Sequence, residues 1–316
     1  MSSNLTTVQR TPGYSKPLRA LMYGFLTLIA VIWLVPILGA FYTSLRPYDE
    51  TKAKGIFSWP DNLSLENYRQ AFEQGKMGRN FLNTAIIIIP AIILILLLSS
   101  FVAFAVSRFS WRFNIALLLL FTAGNLLPQQ VLFQPLFQMF RHIPWPDLAH
   151  NDLPIVGFLI RNLLGWAGST KGYLLGSKTA IIFVHVAFQT GFCTFVLSNY
   201  MKSIPKELNE AALVDGASVP RMFFQIIMPL CRPALAALAT LEFTWLYNDF
   251  FWAVVLLNQG DERPITSSIA NLGGQFFSDD NLISAASMII AMPTLAVYLA
   301  LQKQFISGLT LGASKG

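Results

Sequence analysis

Charged residues are scarce in this chain. Of 316 residues, 22 are Lys or Arg and 16 are Asp or Glu, so that charged residues make up 12% of the chain and hydrophobic residues 54%. An average soluble domain carries about 25% charged residues. The composition therefore excludes an ordinary soluble domain and indicates an integral membrane protein.

Cysteine and histidine are also rare, at two and three residues. Cys193 and Cys231 lie in or beside apolar segments without metal or redox spacing, so we expect them to be packing residues. The run from Gly172 to Thr179 imitates a phosphate-binding loop, but it has three residues where that loop has four and no strand precedes it. We predict no catalytic residue, metal site or nucleotide site in this chain.

Six apolar stretches approach or exceed the roughly 20 residues that a helix needs to cross a bilayer. The first is too long for a cleavable signal peptide. The sequence therefore predicts an all-α integral membrane protein with six transmembrane helices. The predicted spans are residues 20–45, 81–106, 115–140, 179–201, 233–258 and 282–302.

The net charge of +6 is distributed unevenly between the segments that connect these spans. Basic residues outnumber acidic ones in the tails 1–19 and 303–316 and in the loop 202–229, whereas the opposite connections are balanced. This asymmetry predicts that both termini and the loop between spans four and five are cytoplasmic. Because this topology accounts for the positive net charge, we expect no nucleic-acid partner. Residues 20–302 form the predicted transmembrane domain.

The connection 141–178 is an external insertion in this topology. Its apolar piece, residues 153–166, has about a dozen residues and is too short to span, so we expect an interfacial or re-entrant helix. Trp145 and Trp166 motivate the hypothesis that the insertion contacts an extracytoplasmic solute-binding protein.

The cytoplasmic loop carries a spaced motif. Apolar residues at helical spacing predict a short helix over residues 204–214, with Pro205 in its first turn. Gly216 permits a backbone reversal, and residues 219–227 can form a second short helix. The motif positions are Glu210, Ala211, Ala212, Gly216, Ile226 and Pro229.

This spacing resembles the cytoplasmic loop of permease subunits in bacterial ABC importers. Other stretches resemble the maltose-type carbohydrate permeases within that class. Two residues depart from the family pattern: Tyr247 stands where Trp is common, and Ala253 stands where Pro often follows Trp252. These departures leave the identity of the sugar open. The stretches that carry this resemblance are residues 83–84, 128–131, 135–137, 247–252, 262–266 and 305–316.

The resemblance implies a permease subunit in the bacterial plasma membrane that forms half of a sugar pathway. The implied partners are a second, different maltose-type permease, a homodimeric cytoplasmic ATPase that binds ATP and Mg, a solute-binding protein, the sugar and membrane lipid. This chain itself would hold no cofactor and would not be an enzyme. The residues implied in ATPase coupling are Glu210, Ala211, Ala212, Asp215, Gly216, Ala217 and Pro229.

Ionisable and aromatic residues in the fifth span form a candidate substrate path. On one continuous helix, Glu242, Trp245, Asp249 and Trp252 would share a face. Aromatic faces stack on sugars, while carboxylates and the amide of Asn248 bond hydroxyls. For Glu242, pairing with a neighbouring helix remains the alternative.

The third span offers Gln130 and Gln134 on one face. Their amides either face the sugar path or join helices by hydrogen bonds. His185, alone in the fourth span, is predicted to be a packing residue.

Two other functions remain open at this point. In an ion-coupled secondary transporter, Glu242, Asp249 and His185 would bind protons or cations. A membrane scaffold without a transport role is the second alternative.

Overall fold

The computed structural model describes residues 15–110, 112–124, 128–146, 167–168, 172–257, 262–272 and 279–310. Regular structure within these ranges is helical, as the predicted all-α class requires. The predicted N-terminal tail falls mostly outside the described residues, as does most of the insertion 141–178, including Trp166 and the apolar piece 153–166. Of the predicted C-terminal tail 303–316, residues 303–310 belong to the last helix.

The described residues form thirteen α-helical elements, numbered in chain order. They are α1 Lys16–Ser44, α2 Tyr48–Lys54, α3 Glu66–Gln74, α4 Met77–Arg108, α5 Asn114–Ala123, α6 Phe133–His142, α7 Lys178–Ser203, α8 Glu207–Val214, α9 Val219–Leu230, α10 Arg232–Tyr247, α11 Phe251–Leu256, α12 Ile265–Leu272 and α13 Asp280–Thr310. The α9 element contains the π-helical segment Met222–Ile227.

Four helices in the described part of the chain are long and apolar enough to cross a membrane: α1, α4, α7 and α13. The pair α9 and α10 adds a fifth candidate if it counts as one span, although the two axes are bent by 72°. The number six and the cytoplasmic orientation stay predictions.

The third predicted span is not one helix. Helix α5 ends at Ala123, and a 3₁₀ turn, Gln129–Leu132, precedes α6. Pro128 has no amide hydrogen and restricts the residue before it, which accounts for a break at this point. The prediction of a continuous helix over residues 115–140 is therefore wrong.

The fifth predicted span is also broken. Helix α10 ends at Tyr247, and α11 begins at Phe251. At the break, the Asn248 side chain donates to the Thr244 carbonyl at 2.8 Å, and the backbone N–H of Trp252 donates to Asp249 at 3.3 Å. Such local side-chain bonds compete with the helix. The prediction of one helix over residues 233–258 is wrong.

Helices α4 and α7 form the centre of the molecule. Buried small residues let their backbones approach, and the Ser99 hydroxyl lies 3.2 Å from the Thr190 carbonyl of α7. Small residues and hydroxyl bonds of this kind join helices in membranes, where hydrophobicity alone does not. Helix α13 packs against both α1 and α10.

A buried polar cluster joins the end of α1 to α2 and α13. Arg46 is fully buried, and its guanidinium donates to Glu50 at 2.9 Å and to the Ile56 carbonyl at 2.9 Å. The backbone N–H of Asp61 and the Arg46 guanidinium hold the pKa of Glu50 below its usual range. Asn281, 1% exposed, donates to Arg46 and Thr43 carbonyls, each at 2.9 Å.

We expect Asn281→Ala to destabilise the protein by about 1–3 kcal/mol, because it removes the buried hydrogen bonds from the Asn281 amide to the Thr43 and Arg46 carbonyls and to the Thr51 hydroxyl. The matched control is Asn62→Ala, since the Asn62 side chain is exposed. Thermal unfolding in detergent measures the difference. Equal midpoints for the two variants would contradict a structural role for the cluster.

Candidate translocation cavity and cytoplasmic loop

A cavity of about 450 Å³ opens at the break between α10 and α11. Helix α7 contributes three residues to it at helical spacing, and the broken third span contributes one. The lining residues are Gln129, His185, Gln189, Phe192, Trp245 and Asp249.

Two aromatic rings form one wall of this cavity. The centroids of Phe192 and Trp245 lie 5.2 Å apart with an angle of 60° between the planes. Trp245 keeps 42% of its surface exposed although it lies in an apolar helix. The wall therefore presents an indole surface that a ligand can cover.

Asp249, which lies within the break, contributes a carboxylate to the cavity lining. One oxygen accepts the Trp252 backbone N–H, and the other lies 3.7 Å from Nε2 of His185. The Asp249 carbonyl accepts the Thr266 hydroxyl of α12 at 2.8 Å. The carboxylate is thereby fixed in position, while part of its acceptor capacity remains available.

Trp252 does not line the cavity, but it connects the two broken spans. Its ring is 1% exposed and stacks on Phe188 with the centroids 5.9 Å apart. Its indole Nε1–H donates to Oε1 of Gln129 at 2.8 Å. This bond ties α11 to the 3₁₀ turn of the third span.

The predicted path residues do not lie together on one helical face in the structure. Trp245 and Asp249 both line the cavity, although the shared helical face does not exist because α10 ends at Tyr247. Gln130, Gln134 and Asn248 are exposed but lie outside this lining. Their role in the path stays a prediction.

Sequence reasoning missed three lining residues. Gln189 and Phe192 follow His185 by four and seven residues, so a search along the face of His185 would have found them. Gln129 is the neighbour of the chosen Gln130 and lies in a 3₁₀ turn, where helical spacing does not apply. His185 is buried, as a packing residue should be, but it also contributes to the lining.

Glu242 lies away from the cavity and is fully buried. The Cys193 thiol of α7 donates to one carboxyl oxygen at 3.1 Å, and the other oxygen has no hydrogen-bond partner among the described residues. Cys193 thus does more than pack. The geometry favours the interhelical alternative for Glu242.

The loop 202–229, which the sequence predicts to be cytoplasmic, contains the two short helices α8 and α9. The sequence predicts this first helix over residues 204–214, whereas α8 begins at Glu207. The backbone of Ile204, which precedes Pro205, is extended and does not belong to the helix. After α8, the N–H groups of Gly216 and Ala217 donate back to the Leu213 and Ala212 carbonyls at 3.0 and 2.9 Å. This pair of bonds is a Schellman motif.

Gly216 has a φ of 74°, so the predicted reversal is confirmed. A side chain at this position would meet no neighbouring atom within 4 Å, and only the backbone angle disfavours one. The second helix extends beyond the predicted Ile227 to Leu230. Pro229 therefore belongs to α9, and the bend of 72° follows it before α10 begins.

The loop is anchored to the ends of α4 and α7. Arg108 of α4 donates to the Met201 and Ile204 carbonyls at 2.7 and 3.1 Å, where α7 ends. The Phe223 ring of α9 stacks against Phe101 of α4, with the centroids 4.9 Å apart. The second loop helix, α9, is therefore held against α4.

The family model described as binding-protein-dependent transport system inner membrane component matches residues 95–310. The chain belongs to this family. The permease resemblance seen in the loop motif is thereby confirmed, and so are a multi-pass inner membrane location and a role in transport rather than as an enzyme.

Relatives match the permease over nearly its full length. A probable ABC transporter permease of Pyrococcus horikoshii is 30% identical over 89% of this chain and 92% of the relative. The diacetylchitobiose uptake permease of Streptomyces coelicolor is 29% identical over 93% and 88%. The melibiose/raffinose/stachyose import permease of Bacillus subtilis is 27% identical over 92% and 94%.

Solved structures share the fold of the permease. A chain of a bacterial ABC transporter involved in importing the acidic polysaccharide alginate matches with a TM-score of 0.66 at 21% identity. This match covers 93% of the permease and 100% of that chain.

We expect Glu242→Gln to retain uptake, because the side chain is enclosed between α7 and α10 and does not line the cavity. The amide of Gln keeps an oxygen that can accept the hydrogen bond from the Cys193 thiol. Uptake in proteoliposomes, with and without an imposed pH gradient, measures the effect. Loss of uptake by a fully assembled variant would support an ion-binding role instead.

Proposed function

We propose that this chain is one permease subunit of an ATP-driven sugar importer and that its cavity forms part of the sugar path. The observation that carries the proposal is the aromatic wall of Trp245 and Phe192 facing amide and carboxylate groups. Indole faces cover the C–H surfaces of sugars, while amides and carboxylates bond the hydroxyls.

Relatives and fold support a sugar as the cargo. The Streptomyces and Bacillus relatives are permeases for the uptake of saccharides, and they match this chain over about nine tenths of its length. The sugar itself follows from neither. Family membership favours ATP-driven transport over the ion-coupled alternative.

The cytoplasmic loop is the proposed docking surface for a partner ATPase. Leu208, Leu213 and Val214 of α8 are 42%, 56% and 87% exposed. Glu210 is also exposed on this helix and can make charge-assisted contacts. A groove on the partner could enclose a short helix whose apolar side chains are exposed in this way.

The same loop can transmit movement to the cavity. Helix α9 continues through the 72° bend into α10, which ends beside Asn248 and Asp249. A displacement of α8 by the ATPase would therefore act on the break that opens the cavity. Asp215, Ala217 and Pro229 support the turn and the bend in this proposal.

The remaining partners follow from the family. We propose a second, different permease, which closes the other side of the path, and an extracytoplasmic solute-binding protein that contacts the insertion 141–178. Within that insertion Trp145 is held in place by a bond from its backbone N–H to the Gly172 carbonyl at 2.9 Å.

Copurification and reconstitution test the proposal. A tagged chain should bring down an ATPase and a second permease, and the complex should import sugar into proteoliposomes when ATP and the loaded binding protein are supplied. Uptake by this chain alone under an ion gradient would overturn the proposal in favour of secondary transport.

We expect Trp245→Ala to reduce the sugar imported per ATP hydrolysed, because the aromatic wall loses its larger ring. Trp245→Tyr should retain most of the function, since it keeps an aromatic face. The measurement is the ratio of labelled sugar taken up to phosphate released. Equal ratios for the two variants would remove Trp245 from the path.

Gly216→Val should abolish ATP-driven uptake, because a β-branched residue disfavours the φ of 74° that the Schellman turn needs. Gly216→Asn is the matched control, since Asn tolerates the left-handed region and the site has space for its side chain. Copurified ATPase and sugar uptake are measured for both. Normal uptake by the Val variant would refute the turn's role in coupling.

A further inference from the structure

We propose that the side-chain amide of Gln129 is a specificity-determining hydrogen-bond donor, oriented by Trp252, and that the cavity admits uncharged sugars in preference to acidic ones. This inference rests on the proposed sugar path. It goes further by naming the chemistry that the cargo must present to this subunit.

The orientation of the amide follows from the chemistry of its partner. An indole N–H can donate a hydrogen bond but cannot accept one. Since Nε1 of Trp252 lies 2.8 Å from the end of the Gln129 side chain, the group facing it must be the oxygen Oε1. The NH₂ group of Gln129 therefore occupies the other side of the amide.

Packing holds this orientation. Trp252 is 1% exposed, stacks on Phe188 and meets the Phe251 ring edge to face with the centroids 5.0 Å apart. The indole cannot rotate without disturbing α7 and α11 together. An amide that would otherwise present either end to a ligand is thus restricted to one.

The NH₂ group is left available to cargo. Gln129 lines the cavity, and its Nε2 makes no hydrogen bond to any other residue that the structure describes. A ligand in the cavity must therefore supply an acceptor at this point, which a sugar hydroxyl or ring oxygen does.

Asp249 can accept a hydrogen bond from the cargo, whereas Gln129 can donate one. Its second carboxyl oxygen lies 3.7 Å from His185, which exceeds a normal hydrogen-bond distance, so the oxygen can accept a donor from the cargo. A sugar hydroxyl meets this need. A uronate would instead place a second carboxylate near Asp249, where the low dielectric strengthens repulsion.

Binding to the complete importer without its solute-binding protein tests the inference directly. Saturation-transfer NMR is recorded with raffinose, an uncharged trisaccharide, and with trigalacturonate, an acidic one of matched length. We expect the wild-type importer to give a signal with raffinose and a weaker signal, or none, with trigalacturonate.

The Gln129→Glu variant isolates the donor. Glu retains an oxygen for the Trp252 N–H and replaces the NH₂ group by a second oxygen, so raffinose affinity should fall by about tenfold. Trp252→Phe removes the constraint on the amide and should weaken binding less. Gln74→Glu, an exposed position on α3, makes the same substitution outside the cavity and should leave binding unchanged.

The inference would be overturned by unchanged raffinose binding in Gln129→Glu, by stronger binding of trigalacturonate than of raffinose, or by absence of both signals in the wild-type importer. ATP-driven uptake is measured with the same preparation. If uptake proceeds while one of these results holds, the inference fails and the proposed importer function stands; if uptake itself fails, the function is at fault.

Discussion

Backbone that leaves the helix within a membrane needs other hydrogen-bond partners, because the hydrocarbon core supplies none. Two breaks in this chain meet that constraint by different means. At Asn248 to Phe250, side chains of the break bond neighbouring backbone, and Thr266 donates to the Asp249 carbonyl. At Pro128 the residue itself has no N–H to satisfy.

The cavity is a consequence of these two breaks lying together. A continuous helix fills its share of the bundle with side chains, whereas a break turns backbone and polar groups toward a common space. Gln129 from one break and Asp249 from the other both line that space, and the Trp252 bond joins the two. The polar groups required by the backbone thereby become available to a cargo.

Much of the fold was predictable from the sequence. Composition and apolar runs predicted the helical membrane class, and the span predicted over residues 179–201 is observed as the helix Lys178–Ser203. The reversal at Gly216 was predictable because few residues adopt a positive φ. Each of these features depends on local sequence alone.

The breaks and the cavity were not predictable in the same way. An apolar run measures the preference for lipid, and it does not show where a helix ends within that run. Asp249 was predicted to lie on a helical face because its spacing from Glu242 fits one, although Asn and Asp also terminate helices by bonding their own backbone. The pairing of Gln129 with Trp252 depends on residues 123 positions apart, which no periodicity records.

Glu242 connects α10 to α7 in the helix bundle. A buried carboxyl is costly unless it is bonded, and Cys193 supplies one donor from α7. Because α10 follows the bend after the loop helix α9, this contact lies between the loop 202–229 and the break at Tyr247. The bond therefore holds α10 to α7 along the same helix that a moving loop must displace, so any displacement has to carry α7 with it or exchange this bond for another.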